Sequence, residues 1–143
     1  MPFVEVDGVK LFYEEAGDGP PVVFSHGLFM DHEMFDPQVD VLQKEFRCVT
    51  WDERGHGQTD AAGSWTYWDS AKDVLSLLDH LAIDAAVLVG MSQGGFLSLR
   101  AALLAPERVR GLVFIDSQAG PEDEALLGGY EAMLAEWTTN GPS

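Results

Sequence analysis

Basic residues are scarce in this chain. Lys and Arg together number 8 against 24 Asp and Glu, for a formal net charge of −16. A surface of that sign repels phosphate backbones and anionic lipid, which excludes nucleic acid and membranes as partners and leaves a small molecule. The acidic excess itself is read as solvation of the surface. Cysteine is nearly absent as well: Cys48 stands alone, so no internal disulfide can form and the expected compartment is reducing. Its neighbours, Phe46-Arg47-Cys48-Val49-Thr50, read as a buried strand in which the thiol packs as a small apolar group. No apolar run approaches the length of a membrane span. The opening residues, Met1-Pro2-Phe3-Val4-Glu5-Val6, lack the basic stretch and apolar stretch of a leader. A cytoplasmic location is expected. Metal-ligand spacings, a phosphate loop and a dinucleotide fingerprint are missing too, so neither metal nor cofactor is expected.

What is present is the balance of a globular domain, with 46% hydrophobic and 22% charged residues in a chain of 143. Phe3–Val6 and Val9–Glu15 alternate apolar and polar side chains around Asp7-Gly8, the pattern of a hairpin. Short apolar strands are expected at Pro21–Ser25, Arg47–Trp51, Ala85–Val89 and Leu112–Ile115. Between them the spacing predicts helices over Met34–Phe46, with Pro37 near the start, over Thr66–Leu81 and over Gly94–Leu104. A last acidic amphipathic helix is expected from Pro121 to Trp137, stopping in Asn140-Gly141-Pro142-Ser143. Continuous apolar strands alternating with helices specify an α/β fold: a mostly parallel sheet with helices on both faces, edged by the antiparallel hairpin. No repeat or linker divides the chain.

One segment carries chemistry. Val87-Leu88-Val89-Gly90-Met91-Ser92-Gln93-Gly94-Gly95 runs from a buried strand through Gly-x-Ser-x-Gly into a helix, the context of a nucleophile elbow. The serine is expected on a strained turn, with Gly90 and Gly94 leaving room for it. The Gln93 amide, at the helix N-terminus, is suited to an oxyanion. A second strand, Val22-Val23-Phe24-Ser25-His26-Gly27, ends at the same crevice, and the Leu28 amide is the candidate second donor. His26 is read as structural rather than as a proton acceptor. Phe29 and Met91, with Met30, Met34 and Phe96, are candidates to line an apolar substrate pocket.

These motifs, in this order, resemble the α/β-hydrolase superfamily, in particular its small esterase, lactonase and haloperoxidase-like branch. His26-Gly27, Asp52-Glu53-Arg54-Gly55-His56-Gly57 and the Ser92 elbow follow the third, fourth and fifth strands. Pro106-Glu107-Arg108-Val109-Arg110-Gly111-Leu112-Val113 resembles the lead into the sixth. The resemblance runs from Phe3 to about Gln118. It implies a serine nucleophile at Ser92, and it speaks against dehalogenase and epoxide hydrolase chemistry, which uses aspartate at the elbow. It also implies a triad in the order serine, acid, histidine, yet His26, His32, His56 and His80 all precede Ser92. By resemblance a full-length member is about twice this long. Residues 1–120 are therefore expected to form the first part of the hydrolase core, and 121–143 the start of a cap, in a chain truncated before its catalytic histidine. Asp116, ending the sixth strand, is the candidate acid, while Asp52 is expected to fix its own loop beside Arg54. His56 is read as structural and His80 as lying at an exposed helix end. The other readings are a half-length protein that binds a small ligand without turnover, and a split enzyme completed by a second chain.

Overall fold

Asp7 and Gly8 both adopt positive φ, 48° and 78°, the geometry that a two-residue hairpin turn requires. They join β1 (Phe3–Val6) to β2 (Val9–Ala16), with Val6 opposite Val9. The computed structural model describes residues 2–61 and 63–141; the expected chain stop at Pro142 and Ser143 lies outside them. The remaining strands are β3 (Pro21–Ser25), β4 (Arg47–Trp51), β5 (Ala86–Met91) and β6 (Val109–Ile115). They form one sheet in the order β1-β2-β4-β3-β5-β6. β2 meets β4 antiparallel, whereas β3–β4, β3–β5 and β5–β6 are parallel. The mixed α/β sheet is the one the sequence pattern predicts.

Alternation along the strands divides the core between the two faces. Val23, Val49, Trp51 and Leu88 point to one face and pack with Val74, Leu77 and Leu78 of α2 (Tyr67–His80) and Leu97 of α3 (Gln93–Leu104). Each of those α2 side chains is fully buried, a stabilisation of about 1.5–3 kcal/mol apiece. Val22, Phe24, Cys48 and Val89 point to the other face, against Phe35, Val39 and Leu42. Cys48 is the buried apolar thiol that its neighbours foretell.

Several element boundaries differ from expectation; β6 begins at Val109, three residues before the predicted Leu112, and three further elements differ more instructively. The stretch predicted as one helix over Met34–Phe46 is a 3₁₀ turn, His32–Phe35, followed by a two-turn helix α1 (Asp36–Leu42) and a tight reversal. Its apolar positions do share one face. The helix stops because Gln43–Phe46 must turn back into β4, where the Gln43 and Phe46 carbonyls lie against Gly17 at φ 78°. β5 runs two residues further than predicted, since Gly90 and Met91 pair with Phe114 and Ile115. The last helix, α4 (Glu124–Asn140), begins at the Asp123 cap rather than at Pro121, and it buries no residue. Leu126, Leu127, Tyr130 and Leu134 are all exposed, so α4 is not an amphipathic helix seated on a core. Among the described strands β6 is an edge, with Val113, Phe114 and Ile115 exposed.

Candidate active site

The parallel strands direct their C-terminal ends to one side of the sheet, and the loops leaving them build the site. Ser92 sits between β5 and α3 at φ 49° and ψ −114°, a conformation that costs a non-glycine residue on the order of 1–3 kcal/mol. The surroundings hold it there. The Ser92 amide donates to the Ile115 carbonyl at 3.0 Å, and the Ser92 carbonyl accepts from Ser117 Oγ at 2.8 Å. A Cβ on Gly90 would overlap the Gly94 carbonyl, and one on Gly94 would overlap the carbonyl of Ser25. Both glycines are thus required by the close approach of β3, β5 and α3. Gln93 begins α3, so its amide has no intrahelical carbonyl to bond and remains at the positive end of the helix dipole.

Beneath the elbow lies a buried polar network. His26 is fully buried, and its Nε2 accepts from the Glu53 amide at 3.0 Å. Nδ1 therefore carries the proton and donates to the Gly27 carbonyl at 2.8 Å. Burial, partly offset by that carbonyl, pulls the His26 pKa below its ordinary value. With its lone pair already engaged, the ring is a structural pin. Glu53 is 2% exposed, and its Oε2 accepts from Gln93 Nε2 at 2.8 Å. Burial raises the Glu53 pKa well above the usual carboxylate range; the Gln93 bond opposes this and the charge of Asp73 adds to it.

Asp52 is fully buried and accepts from the His32 amide, His32 Nδ1 and the Gln58 amide at 2.7, 2.8 and 2.8 Å. Burial alone would lower the His32 pKa, but the bond to Asp52 and the charge of its carboxylate raise it on balance. Asp52 does fix its own loop. Arg54 turns instead to Asp73 on α2, in a two-pronged pair at 2.5 and 2.8 Å. Burial lifts the Asp73 carboxyl above its ordinary pKa against the pull of that guanidinium. His56 bonds the Arg54 carbonyl through Nδ1 at 2.9 Å. His80, exposed at the end of α2, meets the Tyr13 hydroxyl at 3.2 Å. None of the four histidines hydrogen-bonds Ser92 among the described residues.

Ser92 opens into a cleft of about 380 Å³ whose walls include Leu28, Gln93, Phe96, Tyr67 and three residues of α4, Leu127, Tyr130 and Leu134. The structure thus brings together Ser92, Leu28, Gln93 and Phe96. Phe29 and Met91 are not among the lining side chains. Met91, in the last strand position, packs beneath Gly27 and against the α1 side of the core. Phe29 takes φ 63° and turns outward, its ring 5.0 Å from that of Trp137. Met34 belongs to the core, and Met30 is exposed. Asp116 is an exposed residue at φ 43° and lines an adjoining depression with Ser92 and Ser117. Sequence reasoning missed Tyr67, Tyr130 and the Glu53–Gln93 pair. No local pattern marks them, since their partners lie tens of residues away.

Comparison with known proteins agrees with this geometry. The profile of the alpha/beta hydrolase fold family matches residues 20–139. The chain is 38% identical over 102 residues to 3-oxoadipate enol-lactonase 1 of Acinetobacter baylyi, covering 71% of this chain and 38% of that protein. It is 36% identical over 124 residues to 2-(acetamidomethylene)succinate hydrolase of Mesorhizobium japonicum, covering 86% of this chain and 45% of the relative. The crystal structure of the enol-lactonase from Burkholderia xenovorans LB400 superposes with a TM-score of 0.89 at 30% identity, over 98% of this chain and 55% of that one. The chain spans about half the length of such relatives, or less. With a serine elbow set between β5 and α3 and a family match over most of its length, the chain belongs to the alpha/beta hydrolase fold family, among its esterase and lactonase relatives.

Proposed function

We propose that this chain is the nucleophile-bearing part of a serine hydrolase acting on a carboxylic ester, a lactone or a related acyl compound of small size. The observation that carries the reading is Ser92, held at positive φ on the elbow and opening into a cleft that Leu28 and Gln93 also line. Ser92 Oγ attacks the acyl carbon and its proton passes to a histidine base. The carbonyl oxygen becomes an oxyanion that accepts from the amides of Leu28 and Gln93. Collapse expels the alcohol or enol, which takes the proton from the histidine, and water then releases the acid by the same route. Serine at the elbow, in place of aspartate, favours this acyl chemistry over dehalogenation or epoxide opening.

The base in this reading comes from residues outside these 143, as the sequence has no histidine after Ser92 and the four before it are bonded elsewhere. Asp116 is the candidate acid, because it sits at the C-terminal end of β6 beside the depression that Ser92 also lines. Residues 1–120 serve as the first part of the hydrolase core and 121–143 as the start of a cap, in a cytoplasmic protein. The test has two arms. In a protein that carries the complementary histidine, a fluorophosphonate labels Ser92, and Ser92→Ala lowers kcat by about 10⁴- to 10⁶-fold. The 143-residue chain alone hydrolyses p-nitrophenyl acetate no faster than its own Ser92→Ala variant. A clear serine-dependent rate from that chain would overturn the external base. Failure of the probe to label the protein with its histidine would favour a protein that binds a small ligand without turnover.

A further inference from the structure

Next to the Ser92 cleft, sharing Leu28, Tyr67 and Gln93 with it, is a second cavity of about 470 Å³. Trp65, Tyr67 and Trp68 all line it, and each keeps more than a third of its surface exposed, at 39%, 37% and 42%. One exposed aromatic side chain is ordinary. Three gathered around one concavity, beside a candidate nucleophile, mark a place where a ligand is held. The rings are also buttressed. A Cβ on Gly55 would fall 2.9 Å from the Trp65 ring, so that ring rests on the backbone of the loop after β4. Thr66 and Asp69 form a capping box, with the Thr66 amide donating to Asp69 Oδ2 at 2.8 Å. It fixes the first turn of α2, which carries Tyr67 and Trp68. Tyr67 meets the Phe96 ring edge-on, with 5.4 Å between ring centres. The Arg100 guanidinium lies 5.6 Å from the centre of the Tyr67 ring and 5.4 Å from that of Trp68, within cation–π range of both. Each of the three rings thus has its own support in the fold.

We propose that this cavity is a subsite for a planar aromatic ring, packed against Trp65, Tyr67 and Trp68. Ring-on-ring contact in offset or edge geometry adds attraction beyond that of the buried area. The subsite therefore prefers a flat ring to a saturated ring of the same size. Leu28 and Gln93, whose amides are the candidate oxyanion donors, line both cavities. A carbonyl held at those amides has a cavity on either side. One substituent enters the Ser92 cleft, and the other, an aryl arm, enters the ring-lined cavity. The substrate class is then an ester that bears an aromatic ring. Placement of the carbonyl rests on the hydrolase reading, whereas binding of the ring does not.

The test is a titration of the full chain with benzyl acetate and with cyclohexylmethyl acetate, followed by NMR at the indole N–H groups of Trp65 and Trp68. The saturated ring is the more apolar of the two, so an unspecific hydrophobic patch would take it at least as well. Benzyl acetate should bind saturably and shift both indoles. It should bind at least about threefold tighter than cyclohexylmethyl acetate, as expected for an aromatic contact. Trp65→Leu combined with Trp68→Leu, which keeps the walls apolar, should remove that preference. Absence of saturable binding, equal affinity for the two esters, a preference for the saturated ring, or an indole left unmoved would each overturn the subsite. So would a preference that survives in the double variant. All but the last are read on the unaltered chain, so a double variant that fails to fold does not protect the proposal. Fluorophosphonate labelling of Ser92, in the protein that carries the complementary histidine, is scored separately. Benzyl acetate binding without labelling keeps the subsite and sinks the hydrolase reading, and labelling without ring binding does the reverse.

Discussion

The loop after β4 and the segment after β6 leave the same end of the sheet and flank the same serine, yet they are held by different means. Between Asp52 and Thr59, beside local turn bonds, four side chains reach distant partners. Asp52 is tied to His32, Glu53 to Gln93, Arg54 to Asp73, and Thr59 Oγ1 accepts from the Phe12 amide at 2.9 Å. After β6, apart from Ser117 Oγ on the Ser92 carbonyl, the bonds are short-range. Gln118 donates to Pro121 and Glu122, and Leu126 to the Asp123 cap. α4 buries no residue at all. A short-range bond forms wherever its own helix or turn forms, so it says little about where that element sits. Bonds between distant residues fix position, and buried ones are costly to break because water cannot replace the lost partner. The molecule thus has one rigid wall, which supports the Ser92 elbow and Gln93, and one wall that lends apolar surface to the cleft.

The sharpest test of this contrast is Asp52→Ala. It leaves three donors without their acceptor, two of them on buried His32 and the third the part-buried Gln58 amide, and should cost about 3–5 kcal/mol by urea denaturation. A loss below about 1 kcal/mol would erase the difference between the walls. Glu53→Gln probes the same wall through pH. In the folded chain burial raises the Glu53 pKa above its ordinary 4.5, so between 4.5 and the raised value the folded state holds a proton that the unfolded state releases. That contribution to stability is fully present below about 4.5 and declines as pH rises from there toward the folded value. Glu53→Gln should remove this decline, leaving the variant the more stable form at neutral pH and the advantage vanishing toward pH 4.5. Parallel stability–pH curves for the two proteins would show that Glu53 is not held neutral. The smallest effect belongs to the other wall. Leu134 on α4 is 66% exposed, and Leu134→Asn should change stability by no more than about 0.5 kcal/mol. A larger loss in urea denaturation would mean that α4 is anchored as firmly as the β4 loop.

The parts of this protein legible in the sequence are those whose causes are local. Asp7-Gly8 makes the hairpin turn because both positions need positive φ, and β3 and β4 appear at their predicted bounds because each is a five-residue run, four of them apolar or β-branched, too short to build a helix. The Ser92 elbow follows from glycines two residues either side, at points where strand and helix backbones nearly touch. The long helix predicted over Met34–Phe46 fails for a matching reason. Its apolar spacing is real, but the chain reverses after Leu42, with the Gln43 and Phe46 carbonyls packed against Gly17, far back in the chain.

Residue types and spacing alone therefore determined the sheet, the elbow and the candidate nucleophile. Tertiary structure decided which side chains surround that nucleophile. Phe29 and Met91 lie next to the right motifs in sequence, yet backbone direction turns one outward and the other into the core. Glu53 and Gln93 are 40 residues apart and meet only because β4 and β5, on either side of β3, end at the same level. A turn or a strand depends on neighbouring dihedral angles and apolar spacing, which the sequence carries directly. A buried hydrogen bond between distant residues depends on the register of whole elements, and no short pattern encodes that.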